Sequence, residues 1–179
     1  PQEVIRFKNK TIFCFFNLHN IWWAHKNNEY TDFINSKKNE IFPDGRIISR
    51  FLKIPQQRGP EFTQKFLKSN FSKNKRHFFI GLEESDLQKF SQITGIKSSN
   101  VVPYHSDITK NKDILFLPET EMKKISSLIK KQNSSYVWIG ISSPKQEFIA
   151  NQLFDSIKKE KIIFICIGAG KDFLLGKKK

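Results

Sequence analysis

Trp138-Ile139-Gly140-Ile141-Ser142-Ser143-Pro144-Lys145-Gln146-Glu147 reads as a strand that runs into a tight turn and the start of a helix. Tyr136 to Ile141 is apolar enough for a buried strand, Pro144 to Ile157 has helical spacing, and Ile162 to Ile167 forms the next strand. Pro144 suits the first helical position, where its missing N–H is no loss, with Ser143 before it as the N-cap. The free N–H groups and the dipole of such a helix start favour a phosphate or another anion, and Lys145 adds charge. Ser143 and Gln146 also have the spacing of a capping box, so Gln146 reads equally well as a cap and as a ligand contact.

The same alternation extends toward the N-terminus. Thr11 to Phe16 (TIFCFF) is a continuous apolar run, as expected of a strand buried on both faces. A helix is expected from about Leu18 to Tyr30, a short strand at Ile41-Phe42, and a helix from Glu61 to Phe71. A strand at His77 to Ile80, a helix at Ser85 to Ile93, a strand at Val101-Val102 and a helix at Met122 to Ile129 follow. Strands alternating with helices predict an α/β domain, a mostly parallel sheet with helices on both faces. No internal repeat or linker divides residues 1–179, which is a length suited to one domain.

In such a sheet, ligands bind beyond the carboxyl ends of the strands. That rule selects Asn17, Asp44, Gly81, His105, Ser142 to Gln146 and Gly168 to Asp172. Asp44, in Pro43-Asp44-Gly45, is either a plain turn residue or a carboxylate at a strand end that can accept a proton. Gly168 and Gly170 allow a backbone to approach a ligand closely. The segment is neither a dinucleotide fingerprint nor a P-loop, because the spacing is wrong for both. His19, His25, His77 and His105 show no metal-ligand spacing, and no metal site is expected. Only His105 joins the candidates, since it follows a strand. Trp22-Trp23 falls within a helix, where at least one ring is expected in the core.

Lysine and arginine number 31 against 17 acids, a formal net charge of +14. This points to an anionic partner, although the abundance of Lys, Asn, Ile and Phe also fits a compositional bias that scatters lysines over any fold. The basic clusters are too short to form a nucleic-acid arm, and no specific nucleic acid is expected. Cys14 and Cys166 each sit in a hydrophobic run and read as buried thiols in a reducing compartment. No apolar run approaches the ~20 residues of a membrane span.

Taken in order, the motifs resemble the WecG/TagA/CpsF glycosyltransferases of bacteria (glycosyltransferase family 26). The resemblance covers Asn17 in FFNLHNIWWA, Pro43-Asp44-Gly45, and Arg58-Gly59-Pro60-Glu61-Phe62. It continues through Phe78-Phe79-Ile80-Gly81, Trp138-Ile139-Gly140 with Ser143-Pro144-Lys145-Gln146-Glu147, and Gly168-Ala169 with Asp172-Phe173-Leu174 and Gly176. It implies a Rossmann-like fold and an inverting transfer with no bound metal or other cofactor. The implied donor is a UDP-sugar, commonly UDP-N-acetylmannosamine, and the implied acceptor a polyprenyl-diphosphate-linked or other cell-surface glycan. The implied location is the cytoplasm, peripheral at the inner membrane face, and a homo-oligomer is compatible with it. By resemblance Asp44 is the general base and Gln146 a sugar contact, with Asn17 lining the same pocket. Gly45, Gly59, Gly81, His105, Gly140, Ser143, Lys145, Gly168 and Asp172 complete the expected substrate-binding set.

Three departures accompany the resemblance. Phe15 stands where the family often carries Thr, and Gly170-Lys171 stands where it has Ala-Phe. The expectation is also that the chain lacks the family's basic C-terminal segment, which helps close the site. The alternative readings are a non-catalytic Rossmann-like module that holds a nucleotide or nucleic acid, and an inactive family member.

Overall fold

A computed structural model describes residues 10–111 and 113–178. Six strands, β1 (Thr11–Phe16), β2 (Asn39–Pro43), β3 (His77–Ile80), β4 (Val101–Tyr104), β5 (Tyr136–Ile139) and β6 (Ile163–Cys166), form one sheet in the order β2-β1-β6-β5-β3-β4. Every pairing in it is parallel, so the expected mostly parallel Rossmann-like arrangement is here parallel throughout. The helices are α1 (Leu18–Lys26), α2 (Asn28–Ile34), α3 (Arg46–Leu52), α4 (Gly59–Leu67) and α5 (Asn70–Lys73). They continue with α6 (Leu87–Thr94), α7 (Asp107–Lys110), α8 (Glu119–Lys131), α9 (Lys145–Ser156) and α10 (Gly170–Leu174).

Alternation along the strands divides the core in two. Ile12, Cys14, Phe16, Val137 and Ile139 face the side covered by Tyr30 and Phe33 of α2, Ile125 and Ile129 of α8, and Phe148 to Leu153 of α9. Phe13, Phe15, Tyr136 and Trp138 face the other side, against Phe62, Phe66, Phe90 and Leu174. Phenylalanines supply much of that second layer. Phe79 stacks on Trp138 with ring centroids 5.4 Å apart, and Phe66 meets Trp138 edge-on at 5.5 Å. His77 is part of this layer and serves structure: Trp138 Nε1 donates to its Nδ1 at 3.0 Å, which leaves Nε2 to donate to the Ser72 carbonyl at 3.0 Å. Burial pushes its pKa down to about 4.

The two layers also record the path of the chain. Connections that step toward the β2 edge (β1 to β2, β4 to β5, β5 to β6) cross the first face through α1, α2, α8 and α9. Those that step toward the β4 edge (β2 to β3, β3 to β4) cross the second face through α4, α5 and α6. This is what crossovers of a single hand require. After β1 and β6 the chain therefore departs to opposite faces, and it does so again after β5 and β3. Crevices open at both places, beyond the carboxyl ends of the strands.

Several boundaries differ from expectation. The helix expected over 18–30 breaks at Asn27, whose side chain accepts from the Tyr30 N–H and so caps α2. The helix expected over 61–71 begins at Gly59 and breaks after Leu67 into α4 and α5. β5 stops at Ile139, two residues early, although the Gly140 N–H still donates to the Ile80 carbonyl of β3 at 2.9 Å. The short helices α3, α7 and α10 were not anticipated.

Candidate active site

The crevice between β1 and β6 is a cleft of about 440 Å³. Asp44 reaches it from the end of β2, where its backbone N–H continues the sheet by donating to the Phe16 carbonyl at 2.6 Å. Its Oδ2 accepts from the Gly59 N–H at 3.3 Å, at the start of α4. Burial raises the Asp44 pKa above the ordinary carboxylate value; the Gly59 N–H and the Arg58 guanidinium oppose that shift, and Glu61 adds to it. A half-desolvated carboxylate held by one backbone donor is a stronger base than one in water.

Gln146 and Ser143 line the same cleft from the turn between β5 and α9. Here the expected cap is corrected. The helix starts at Lys145, and no side chain caps it. The Gln146 amide instead reaches across the cleft floor: Oε1 accepts from the Gly168 N–H at 2.8 Å, and Nε2 donates to Glu147 Oε1 at 2.9 Å. The side chain therefore ties the turn after β5 to the turn after β6.

Beneath it lies a network that sequence reading missed. Glu147 is fully buried, and Asn20 Nδ2 donates to Tyr30 Oη at 2.8 Å and to Ser143 Oγ at 2.9 Å, and approaches Glu147 Oε1 at 3.4 Å. Glu147 Oε2 has no partner. Burial raises the Glu147 pKa to about 7, against the opposing hydrogen bonds from Gln146, Ser143 and Asn20. The one available signal was a charged residue directly followed by Phe148-Ile149-Ala150 in a helix packed on the sheet.

Other expected residues divide between the clefts. Asn17 lines the first and caps α1, its Oδ1 accepting from the His19 N–H at 2.9 Å. Gly59 and Gly168 line it too. Phe15 gives the cleft an aromatic wall, packed against Gly59 and stacked on Phe42 with centroids 5.5 Å apart. Gly81, His105, Gly140 and Asp172 line a second cleft of about 310 Å³ at the β5–β3 crevice, which meets the first at Ser142, Gly168 and Ala169. Gly81 must be glycine: its φ is +93°, and a Cβ would stand 2.7 Å from the Gly140 carbonyl oxygen.

Lys110, Lys171 and Lys178 give the second cleft a positive lining. Lys171 Nζ pairs with Asp172 Oδ1 at 2.7 Å, and Lys178 Nζ lies 3.8 Å from Oδ2. The His105 ring has no hydrogen-bond partner on either nitrogen and stands 3.8 Å from Glu83. Burial first, then Lys110, lowers its pKa, so it is neutral at pH 7. A neutral imidazole among three ammonium groups suits a polyanion with a polar group beside it.

Two expected residues line neither cleft. Gly45 sits at the start of α3, next to Asp44. Lys145 is buried, and its ammonium donates to the carbonyls of Ile108 and of Asn111, the latter at 2.6 Å. It pins α7 in place, where an anion contact was expected. Among the described residues, no three His, Cys, Asp or Glu side chains are grouped to hold a metal ion, and no helix is long and apolar enough to cross a membrane.

The model of the glycosyl transferase WecG/TagA/CpsF family matches residues 2–179. A comparison with curated proteins finds no match.

Proposed function

Because the chain belongs to the WecG/TagA/CpsF family of glycosyltransferases, we propose that it moves an N-acetylhexosamine, such as N-acetylmannosamine, from a UDP-sugar to a polyprenyl-diphosphate-linked or other cell-surface glycan, with inversion. The observation that carries this reading is the pair of adjoining clefts. One is basic, and the other presents a half-buried carboxylate opposite Gln146 and the Gly168 backbone.

In this reading the donor diphosphate lies in the second cleft against Lys110, Lys171 and Lys178, with the sugar extended over Gly168 toward Gln146. Asp44 takes the proton of the acceptor hydroxyl as its oxygen attacks the anomeric carbon from the face opposite the departing UDP. The lysines meet the charge that builds on the leaving diphosphate. Gln146, fixed by Gly168 and Glu147, sets where the sugar sits. The reaction takes place at the cytoplasmic face of the membrane, where such acceptors are anchored.

The test is selective stabilisation and turnover. UDP and one UDP-sugar should raise Tm, and that UDP-sugar with a lipid-diphosphate acceptor should release UDP. Stabilisation by unrelated oligonucleotides instead, falling steeply with salt, would favour the nucleic-acid module that the +14 charge allows.

A further inference from the structure

Nine large apolar side chains are exposed among the described residues, and seven of them fall on two segments. Leu18, Ile21 and Trp22 make one stripe on α1 at i, i+3, i+4 spacing. Ile47, Phe51 and Leu52 on α3, with Ile54 just after it, make the second. Phe51 is 85% exposed, Ile47 67% and Trp22 52%. Such a patch marks a contact surface.

The charge around it is one-sided. Arg46, Arg50 and Lys53 alternate with the apolar residues of α3, His25 and Lys26 end α1, and residues 17–28 and 45–60 contain no acid. Helices α1 and α3 leave the carboxyl ends of neighbouring strands, joined by the bond from Asp44 N–H to the Phe16 carbonyl. Both stripes therefore belong to the carboxyl-end rim of the sheet, where the first cleft opens, and α1 itself lines that cleft through His19 and Asn20.

We infer that this rim docks the protein on an anionic lipid bilayer, with Trp22, Ile47 and Phe51 entering the interface and Arg46, Arg50 and Lys53 on the lipid phosphates. A basic apolar face suits that partner, which offers hydrocarbon and negative charge in one plane. A nucleic acid can stack bases on Phe51 or Trp22 but offers no continuous hydrocarbon layer for Leu18, Ile21, Ile47, Leu52 and Ile54 together. A second copy of the chain would set two acid-free basic faces against each other. Docking is independent of the proposed chemistry. Only its purpose, bringing the cleft mouth to a membrane-anchored acceptor, rests on that reading.

The experiment is vesicle partition of the full chain with no substrate present. Phosphatidylcholine vesicles containing phosphatidylglycerol should bind it, pure phosphatidylcholine should bind it far less, and salt should weaken the binding. Brominated lipid should quench tryptophan fluorescence, and Trp22→Phe should remove most of that quenching. The double variant Ile47→Asp/Phe51→Asp should lower partition by roughly tenfold or more, since it loses buried apolar area and adds two negative charges. The Tm of that variant and its stabilisation by UDP should be unchanged, because both sites are exposed and outside the clefts. Absence of vesicle binding, or equal binding by the double variant, overturns the inference. So does self-association that the double variant abolishes, which would assign the rim to a second copy. A chain that docks but transfers no sugar loses the proposed function and keeps the docking.

Discussion

A carboxyl group buried among amides and hydroxyls, with one oxygen unpartnered, folds more readily protonated than ionised, and Glu147 is such a group. Its pKa rises from an ordinary 4.5 to about 7. The stability this gives is complete below pH 4.5 and is lost as pH rises through 7. The shift corresponds to roughly 3 kcal/mol at most. His77 acts in the opposite sense, since its pKa falls to about 4: its contribution is complete above 6.5 and is lost as pH falls through 4. The two therefore offset each other in mildly acidic solution. Glu147→Gln removes the Glu147 dependence and leaves every other titration as in the parent, so the Tm of the variant relative to the parent should climb from pH 4.5 to 7.5. A constant difference across that range would mean that Glu147 does not titrate in the fold. Gly81→Ala, also at this scale, should cost about 1–3 kcal/mol from left-handed strain alone, and more from the contact with the Gly140 carbonyl, measured by denaturant unfolding.

Among the elements, the α9 start is the clearest case of a residue reassigned by its surroundings. A lysine beside a helix N-terminus reads as an anion contact, yet Lys145 is bonded to carbonyls 34 and 37 positions away, and no local pattern encodes that. Lys145→Met should release α7. Its amides should exchange faster by hydrogen–deuterium exchange while α8 and α9 keep their protection; unchanged exchange in α7 would mean that the clamp is unimportant. The strands at the sheet centre were readable because TIFCFF, HFFI and YVWI are apolar on both faces. Helix α3 was not readable, because RIISRFL sends its apolar residues to solvent and buries only Ile48, so no core-facing stripe is present. The break between α1 and α2 depended on one asparagine side chain, a cap that periodicity does not register. Asp44 and Gln146 were selected by both the strand-end rule and the motif order, and both line the first cleft. Asn20 and Tyr30 were missed, since a helical Asn and Tyr look ordinary until the fold sets them under Ser143 and Glu147.

For the molecule as a whole, the sheet order places two crevices side by side and gives each a different charge: lysines at one, a carboxylate at the other. An anionic donor should therefore bind more weakly as salt rises, by a modest factor because the second cleft is open to solvent, whereas the raised pKa of Asp44 comes from burial and should be little changed by salt. The most direct measurement compares Asp44→Asn with the parent in two assays on the same preparation: turnover of UDP-sugar with acceptor, and thermal stabilisation by UDP. Turnover should fall by roughly 10²-fold to 10⁴-fold, the usual worth of a positioned base, while stabilisation by UDP persists. Unchanged turnover in Asp44→Asn would contradict the account.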